Sequence, residues 1–332
     1  MRVLVTGGGG FLGSYIVDAL LRRGDAVRVA GRRSHPRIDA LGVETAVGDL
    51  SDPKAASAAA KGCEAVIHAA GAPGISIAED IYRRANVIAT LNMLAAARER
   101  GVRRFVYTGT ASVVYAGRSI EGGDESLPYP EHYLSVYART KAEAERAVIA
   151  ANSGHLATCV IRPHLIFGPR DTQLIPKLLA RARTGRMRRI GDGTNRVSVS
   201  YVGNVADAHC LALDALSPGG PAAGQVYFVN EPEPVNCWEF INRIVAGAGF
   251  PQVAKKLPLW LANLAGWMLE NAYPLLGRKS DPPFTRFLVS QLATSHWFRV
   301  DKARAELGWE PEVSLDQGVR LLLDSLNQGQ IT

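Results

Sequence analysis

Met1-Arg2-Val3-Leu4-Val5-Thr6-Gly7-Gly8-Gly9-Gly10-Phe11-Leu12-Gly13 opens the chain, and its reading decides the fold. The apolar, β-branched run from Arg2 to Thr6 predicts a buried strand. It runs directly into glycines spaced G-x-x-G-x-x-G, and a helix is predicted from Phe11 to Arg23, stopped by Gly24. Glycine spacing alone is equally the mark of a plain turn. Between a strand and a helix, Gly7, Gly10 and Gly13 have physical tasks: a tight turn, close backbone approach to a pyrophosphate, and close helix-to-strand contact. The first N–H groups of that helix, around Phe11 and Leu12, would then face the phosphates.

Working outward, strands are predicted at Ala26 to Ala30, Ala65 to His68, Arg104 to Thr108 and Ala157 to Ile161, with helices at Asp80 to Arg100 and Ser135 to Ala151. Alternation of this kind predicts an α/β fold, a Rossmann-type doubly wound parallel sheet with a smaller, discontinuous α/β substrate lobe. After Arg162-Pro163 the rhythm loosens and prolines and glycines become frequent. The expected division is a dinucleotide-binding body over 1–163 and a second lobe over 164–195 and 230–332. Two strand-like runs, Arg196 to Tyr201 and Gln225 to Val229, are expected to return to the first sheet within a segment 196–229. Asp301 to Leu326 reads as two short surface helices.

The second strand ends Val29-Ala30-Gly31-Arg32-Arg33. An acid that would select a free ribose 2′-hydroxyl is absent there, and two arginines follow. Charge-assisted hydrogen bonds from Arg32 and Arg33 suit a 2′-phosphate, so NADP(H) is expected over NAD(H); solvated loop arginines are the plainer reading. At the next strand ends Asp49, with Leu50, can meet an adenine, and the small side chains of Ala69 and Ala70 let a cofactor lie close. His68 reads as a packing residue.

Tyr137-Ala138-Arg139-Thr140-Lys141 places a phenol and an ammonium one helical turn apart. A cation ~4 Å from the phenol, at an effective dielectric of 20, is worth up to ~4 kcal/mol, enough to draw the phenol pKa down toward neutrality. The hydroxyl cluster Thr108-Gly109-Thr110-Ala111-Ser112 lies at the preceding strand end, where a hydroxyl can bind an oxygen on which charge develops. Glycine turn, strand-end hydroxyl and Y-x-x-x-K in this order are far more specific than any one of them.

These pieces, together with Gly48-Asp49-Leu50, Asn86-Val87, Arg162-Pro163, Gly191-Asp192-Gly193 and Ala305-Glu306-Leu307-Gly308-Trp309, resemble the extended short-chain dehydrogenase/reductases along nearly the whole chain. The resemblance implies Tyr137 as catalytic acid/base, Lys141 on the nicotinamide ribose, Asn86 near the cofactor, Pro163 at its border, and Thr110 in place of the family's catalytic serine. Within the family the chain resembles the 3β-hydroxysteroid dehydrogenase branch. The stretches Arg162 to Pro169 and Pro282 to Leu288 are similar to those of bacterial reductases of 2-alkyl-3-oxoalkanoates in olefin biosynthesis. That likeness implies a long-chain β-keto acid substrate, and assembly as a homodimer or with sister enzymes of the pathway. A 3β-hydroxysteroid or C4-carboxysterol dehydrogenase is the adjacent alternative. A non-catalytic NADPH-sensing module is the other, and it has no need of an intact Tyr137 and Lys141.

The composition bounds these readings. A chain of 332 residues, 47% hydrophobic and 21% charged, is ordinary for a globular protein. The four cysteines are scattered, which suggests neither a metal site nor disulfides and fits a cytoplasmic location; no signal peptide is evident. The charge of +7 is not interleaved with aromatics, so no nucleic-acid partner is expected. Arg181, Arg183, Arg186, Arg188 and Arg189 form the densest basic cluster, suited to a carboxylate or acidic partner, or simply solvated. Leu257 to Leu269 is too short to span a membrane. It reads as a greasy pocket lining, core, or a partner or membrane-surface contact.

Overall fold

The computed structural model describes residues 1–73, 79–276, 282 and 284–328; Pro283, within one of the stretches noted above, lies outside them. Seven strands form the main sheet: β1 (Arg2–Thr6), β2 (Ala26–Gly31), β3 (Glu44–Val47), β4 (Ala65–His68), β5 (Arg104–Thr108), β6 (Ala157–Pro163) and β7 (Val226–Val229). Their order is β7-β6-β5-β4-β1-β2-β3 and every pairing is parallel.

Period-two alternation explains why both faces are covered. Val3 and Val5 point into one apolar cluster with Ile16, Val17 and Leu20, and Leu4 points into the other with Val66, Phe105 and Tyr107. The first cluster lies beneath α1 (Phe11–Arg22), which packs on α3 (Val202–Ala215); between them in the chain comes α2 (Val136–Ala150), with Ser135 capping its first turn through Ala138 N.

Gln225 to Val229 does return to the first sheet, as β7 on the far side of β6. Arg196 to Tyr201 does not. Arg196–Val197 joins a separate four-stranded sheet with Val235–Asn236, His296–Phe298 and Ile120–Gly123, and Ser200–Tyr201 pairs with Ile166–Phe167. The free edge of β6 is taken by the more continuously apolar β7, while Ser198 and Ser200 spend their hydroxyls on Phe298 N and on the carbonyls of His164 and Val229.

The expected single helix from Asp80 to Arg100 is three segments: Glu79–Tyr82, a π-helical stretch Arg83–Ile88, and Ala89–Glu99. Asp301–Leu307 and Leu315–Asn327 are the two short C-terminal helices, each with one buried side. All four cysteines are buried thiols. No helix among the described residues is long and apolar enough to cross a membrane.

Candidate active site

Parallel strands with this order leave a crevice at their C-terminal ends, where β1 and β4 diverge toward opposite edges. Gly7 follows β1 with φ of 71°, and a Cβ there would come 2.9 Å from Ala70 Cα. A Cβ at Gly13 would collide with the Gly7 carbonyl. Bare glycine thus brings three backbone stretches together. Gly10 precedes α1 without any side-chain cap, so the helix N-terminus presents unspent N–H groups beside Phe11, Leu12 and Gly13. This cradle fits a pyrophosphate.

Arg32 and Arg33 are exposed after β2, and among the described residues neither makes a hydrogen bond or ion pair. Asp49 follows β3. Its Oδ1 accepts from Ser51 N at 2.9 Å and its Oδ2 pairs with Arg84 at 3.0 Å, so hydrogen bonds from Ser51, with Arg84 and Arg32 behind them, hold its pKa down. Leu50 is buried beside it. The Arg84 partner was not foreseen, because the intervening sequence gives no hint that the π-helical turn faces β3.

A chain of hydroxyls and one imidazole braces the crevice floor. Ala70 N donates to Thr6 Oγ1 at 3.1 Å, Thr6 meets His68 Nδ1 at 2.7 Å, His68 Nε2 meets Thr90 Oγ1 at 3.0 Å, and Thr90 donates to the Asn86 carbonyl at 2.6 Å. Donor and acceptor roles close only with His68 neutral and protonated at Nε2. Burial, with the Lys141 charge behind it, pushes its pKa down to about 3. Asn86, within the π-helical stretch, spends its Oδ1 on Ala72 N (2.8 Å) and its Nδ2 on Thr140 Oγ1 (3.1 Å). It therefore ties the Ala69–Ala72 loop to α2 between Tyr137 and Lys141.

On α2 the Tyr137 phenol lies by the Thr110 hydroxyl, which opposes the upward push of burial on its pKa, and Thr110 Oγ1 donates to Ser112 Oγ at 3.3 Å. Lys141, one turn on, sends Nζ to the Thr108 carbonyl at 2.6 Å and lies 4.2 Å over the Tyr107 ring. The three residues singled out for chemistry are thus gathered at the end of β5. The pKa pattern differs from the expectation. Burial pushes the phenol up to about 12, opposed by Thr110, and pushes the Lys141 ammonium down to about 7, opposed by Glu145. Spacing alone promised mutual stabilisation; the loss of water outweighs it.

Beneath Lys141 lies a cluster that sequence reasoning missed. Glu145, wholly buried, accepts from Tyr129 Oη at 2.7 Å and from Arg162 Nε at 3.0 Å. The signal was present as Tyr137, Lys141 and Glu145 at successive turns of one helix face. Pro163 ends β6 opposite Val229, and next to it His164 Nε2 meets His296 Nδ1 at 2.7 Å in a buried pair.

Fold and site define a class: the chain belongs to the 3-beta hydroxysteroid dehydrogenase/isomerase family, whose profile matches residues 4–259. Among its relatives is the 2-alkyl-3-oxoalkanoate reductase of Stenotrophomonas maltophilia, 44% identical over 97% of this chain and 98% of that protein. The sterol-4-alpha-carboxylate 3-dehydrogenase, decarboxylating, of Mus musculus is 36% identical over 98% and 91%. Among solved structures, the crystal structure of gox2253 superimposes with a TM-score of 0.81 at 27% identity, covering 100% of this chain and 99% of that one.

Proposed function

We propose that the chain is an NADP(H)-dependent oxidoreductase interconverting a 3-oxo and a 3-hydroxy group on a hydrophobic substrate, with 2-alkyl-3-oxoalkanoates as the substrate class. The observation that carries the chemistry is the gathering of the buried Tyr137 phenol, the Thr110 hydroxyl and the Lys141 ammonium at the end of β5, beside the glycine crevice. In this reading Gly7, Gly10, Phe11, Leu12 and Gly13 hold the pyrophosphate, Asp49 and Leu50 the adenine end, and Arg32 and Arg33 the 2′-phosphate. Ala69, Ala70, Asn86 and Pro163 border the nicotinamide half, and Lys141 with Tyr137 takes its ribose. The nicotinamide supplies the hydride when bound. Tyr137, protonated at neutral pH because its pKa is about 12, donates the proton to the substrate oxygen. Thr110 orients that oxygen by hydrogen bond, and Lys141 sets the potential around the phenol.

Similarity to the Stenotrophomonas enzyme over nearly both full lengths supports the substrate class. Similarity to the sterol dehydrogenase favours a second reading, a C4-carboxysterol 3-dehydrogenase. Both readings need a carboxylate beside the reacting carbon. A place in olefin hydrocarbon biosynthesis, a homodimer or assembly with enzymes of that pathway, and a cytoplasmic location with peripheral membrane contact belong to the same proposal. The test is NADPH oxidation followed with a racemic long-chain 2-alkyl-3-oxo acid, a 3-keto steroid, and no substrate. Turnover of the oxo acid alone is expected; turnover of the steroid alone supports the second reading. Turnover of neither, with NADPH still bound, would leave a dinucleotide sensor.

A further inference from the structure

Both substrate readings carry a carboxyl group beside the reacting carbon, and none of the residues assigned above receives it. His164 lies in the stretch Arg162 to Pro169, yet the proposed chemistry leaves it without a task. Strand register sets its place. Thr108 pairs with Ile161, which puts Thr110 level with Pro163, and adjacent strands lie about 4.8 Å apart. His164 is therefore the first residue past the cofactor border, one step from the hydroxyl that orients the reacting oxygen.

The turn that carries it is clamped. Ser200 Oγ accepts from His164 N at 3.3 Å and donates to the His164 carbonyl at 2.7 Å. Ser200 N donates to the Leu165 carbonyl at 3.3 Å, and Leu165 itself has a φ of 42°, a left-handed conformation that leucine rarely adopts. Strained backbone persists where its surroundings over-determine it, and it gathers at ligand clamps. The ring is fixed as well. The Gln291 carbonyl can only accept, so His296 Nε2, 2.8 Å away, carries a proton, and His296 Nδ1 accepts from His164 Nε2 at 2.7 Å. Phe298 lies edge-on to His164 at 5.6 Å. Tyr115 lies edge-on to His296 at 5.4 Å, with its hydroxyl turned onto Thr294.

Burial, with His296 behind it, holds the His164 pKa well below the usual imidazole value. In the neutral ring Nδ1 is bare, and among the described residues it has no partner. Gln291, on the helix Arg286–Ala293, adds a second unspent group, for its side-chain Nε2 is buried without a partner among the described residues. Unpaired buried polar groups are costly, and a bound ligand is one way of answering them.

We infer that the His164–His296 pair is the receptor for the substrate's carboxyl group, which binds with one proton shared between a carboxylate oxygen and His164 Nδ1. Solvent supplies that proton as the carboxylate enters. His296 occupies the other ring nitrogen, so the added proton has one place to go. The positive charge exists in the complex alone, between the carboxylate and a neutral His296, with the un-ionised Tyr115 beyond. The inference rests on the substrate class proposed above and names the group in that class that this chain recognises.

Titration calorimetry of the full chain with NADPH bound tests it. The ligands are 2-butyloctanoic acid, which has no 3-oxygen to reduce, and 2-butyloctanol, its neutral counterpart. At about pH 8 the acid should bind at least about ten-fold more tightly than the alcohol, and heats in phosphate and Tris buffers should differ by the uptake of about one proton per ligand. Affinity for the acid should fall by up to about ten-fold per unit as pH rises, because each binding event needs a proton. The side chain in His164→Gln can still donate to His296 but cannot take up a proton. That variant should bind acid and alcohol alike, without proton uptake, while circular dichroism and NADPH binding stay unchanged. Acid preference without proton uptake, no acid preference in the native chain, or acid preference retained by His164→Gln would each overturn the inference. The native measurements decide even where the variant is unstable. Turnover of the oxo acid is measured apart from this. A chain that takes up the proton but oxidises no NADPH would uphold the carboxyl site and sink the reductase reading, and the reverse pattern would do the opposite.

Discussion

Replacing Glu145 by Gln should move the pH dependence of turnover in a direction that only the buried charge beneath Lys141 can explain. Glu145 lies one helical turn from Lys141 and is the charge that opposes the downward pull of burial on the ammonium. At ~6 Å and an effective dielectric of ~20, a unit charge is worth about 3 kcal/mol, or about two pKa units. In the native chain the ammonium titrates at about 7 and the phenol at about 12, so the alkaline limb of kcat/KM in the free enzyme belongs to Lys141. Without the carboxylate that limb should shift by up to about two units toward acid. At pH 7 the ammonium would then fall from about half to about one part in a hundred, a roughly fifty-fold loss recovered on acidification. Glutamine keeps an oxygen for Tyr129 and Arg162, and NADPH affinity with the far-ultraviolet spectrum reports whether the fold survives. A profile that loses height at every pH without moving its limb would refute the reasoning, for the residue would then be structural only.

Tyr137→Phe removes the proposed donor and should lower kcat by about 10²–10⁴ while NADPH still binds, as titration of nucleotide fluorescence can check. Thr110→Ser should retain most activity and Thr110→Val should lose about 10²-fold or more in kcat, because only the hydroxyl is asked to act. Arg32→Ala should weaken NADPH by about ten-fold or more and NADH hardly at all; equal weakening in calorimetry would remove the 2′-phosphate contact.

The glycine turn and the strands β1, β4 and β5 were legible because their signals are local. Leu4 alternates with Val3 and Val5, and Gly7 follows Thr6, whatever the rest of the chain does. Tyr137, Lys141 and Thr110 were legible as types in order, but the direction of their pKa shifts was not, since desolvation depends on what packs above a helix. Arg196 to Tyr201 misled because an apolar run does not say which sheet edge is vacant. Arg83 to Ile88 looked helical, and a one-residue change of helical register leaves the apolar pattern almost intact. The stretch around Trp260 carried a helical stripe without its orientation, so lining, core and surface were equal readings until Ala262 and Gly266 were seen to face inward.

The late arrival of β7 has a consequence for synthesis. β6 ends at Pro163, yet the strand that covers it begins only at Val226, and the whole of 164–225 must leave the ribosome first. At ordinary elongation rates β6 therefore stands for several seconds as an open strand edge on a nascent chain, a template for pairing with a neighbouring copy. A chain cut near residue 163 would keep that edge for good and should be recovered as aggregate, however complete its nucleotide cradle.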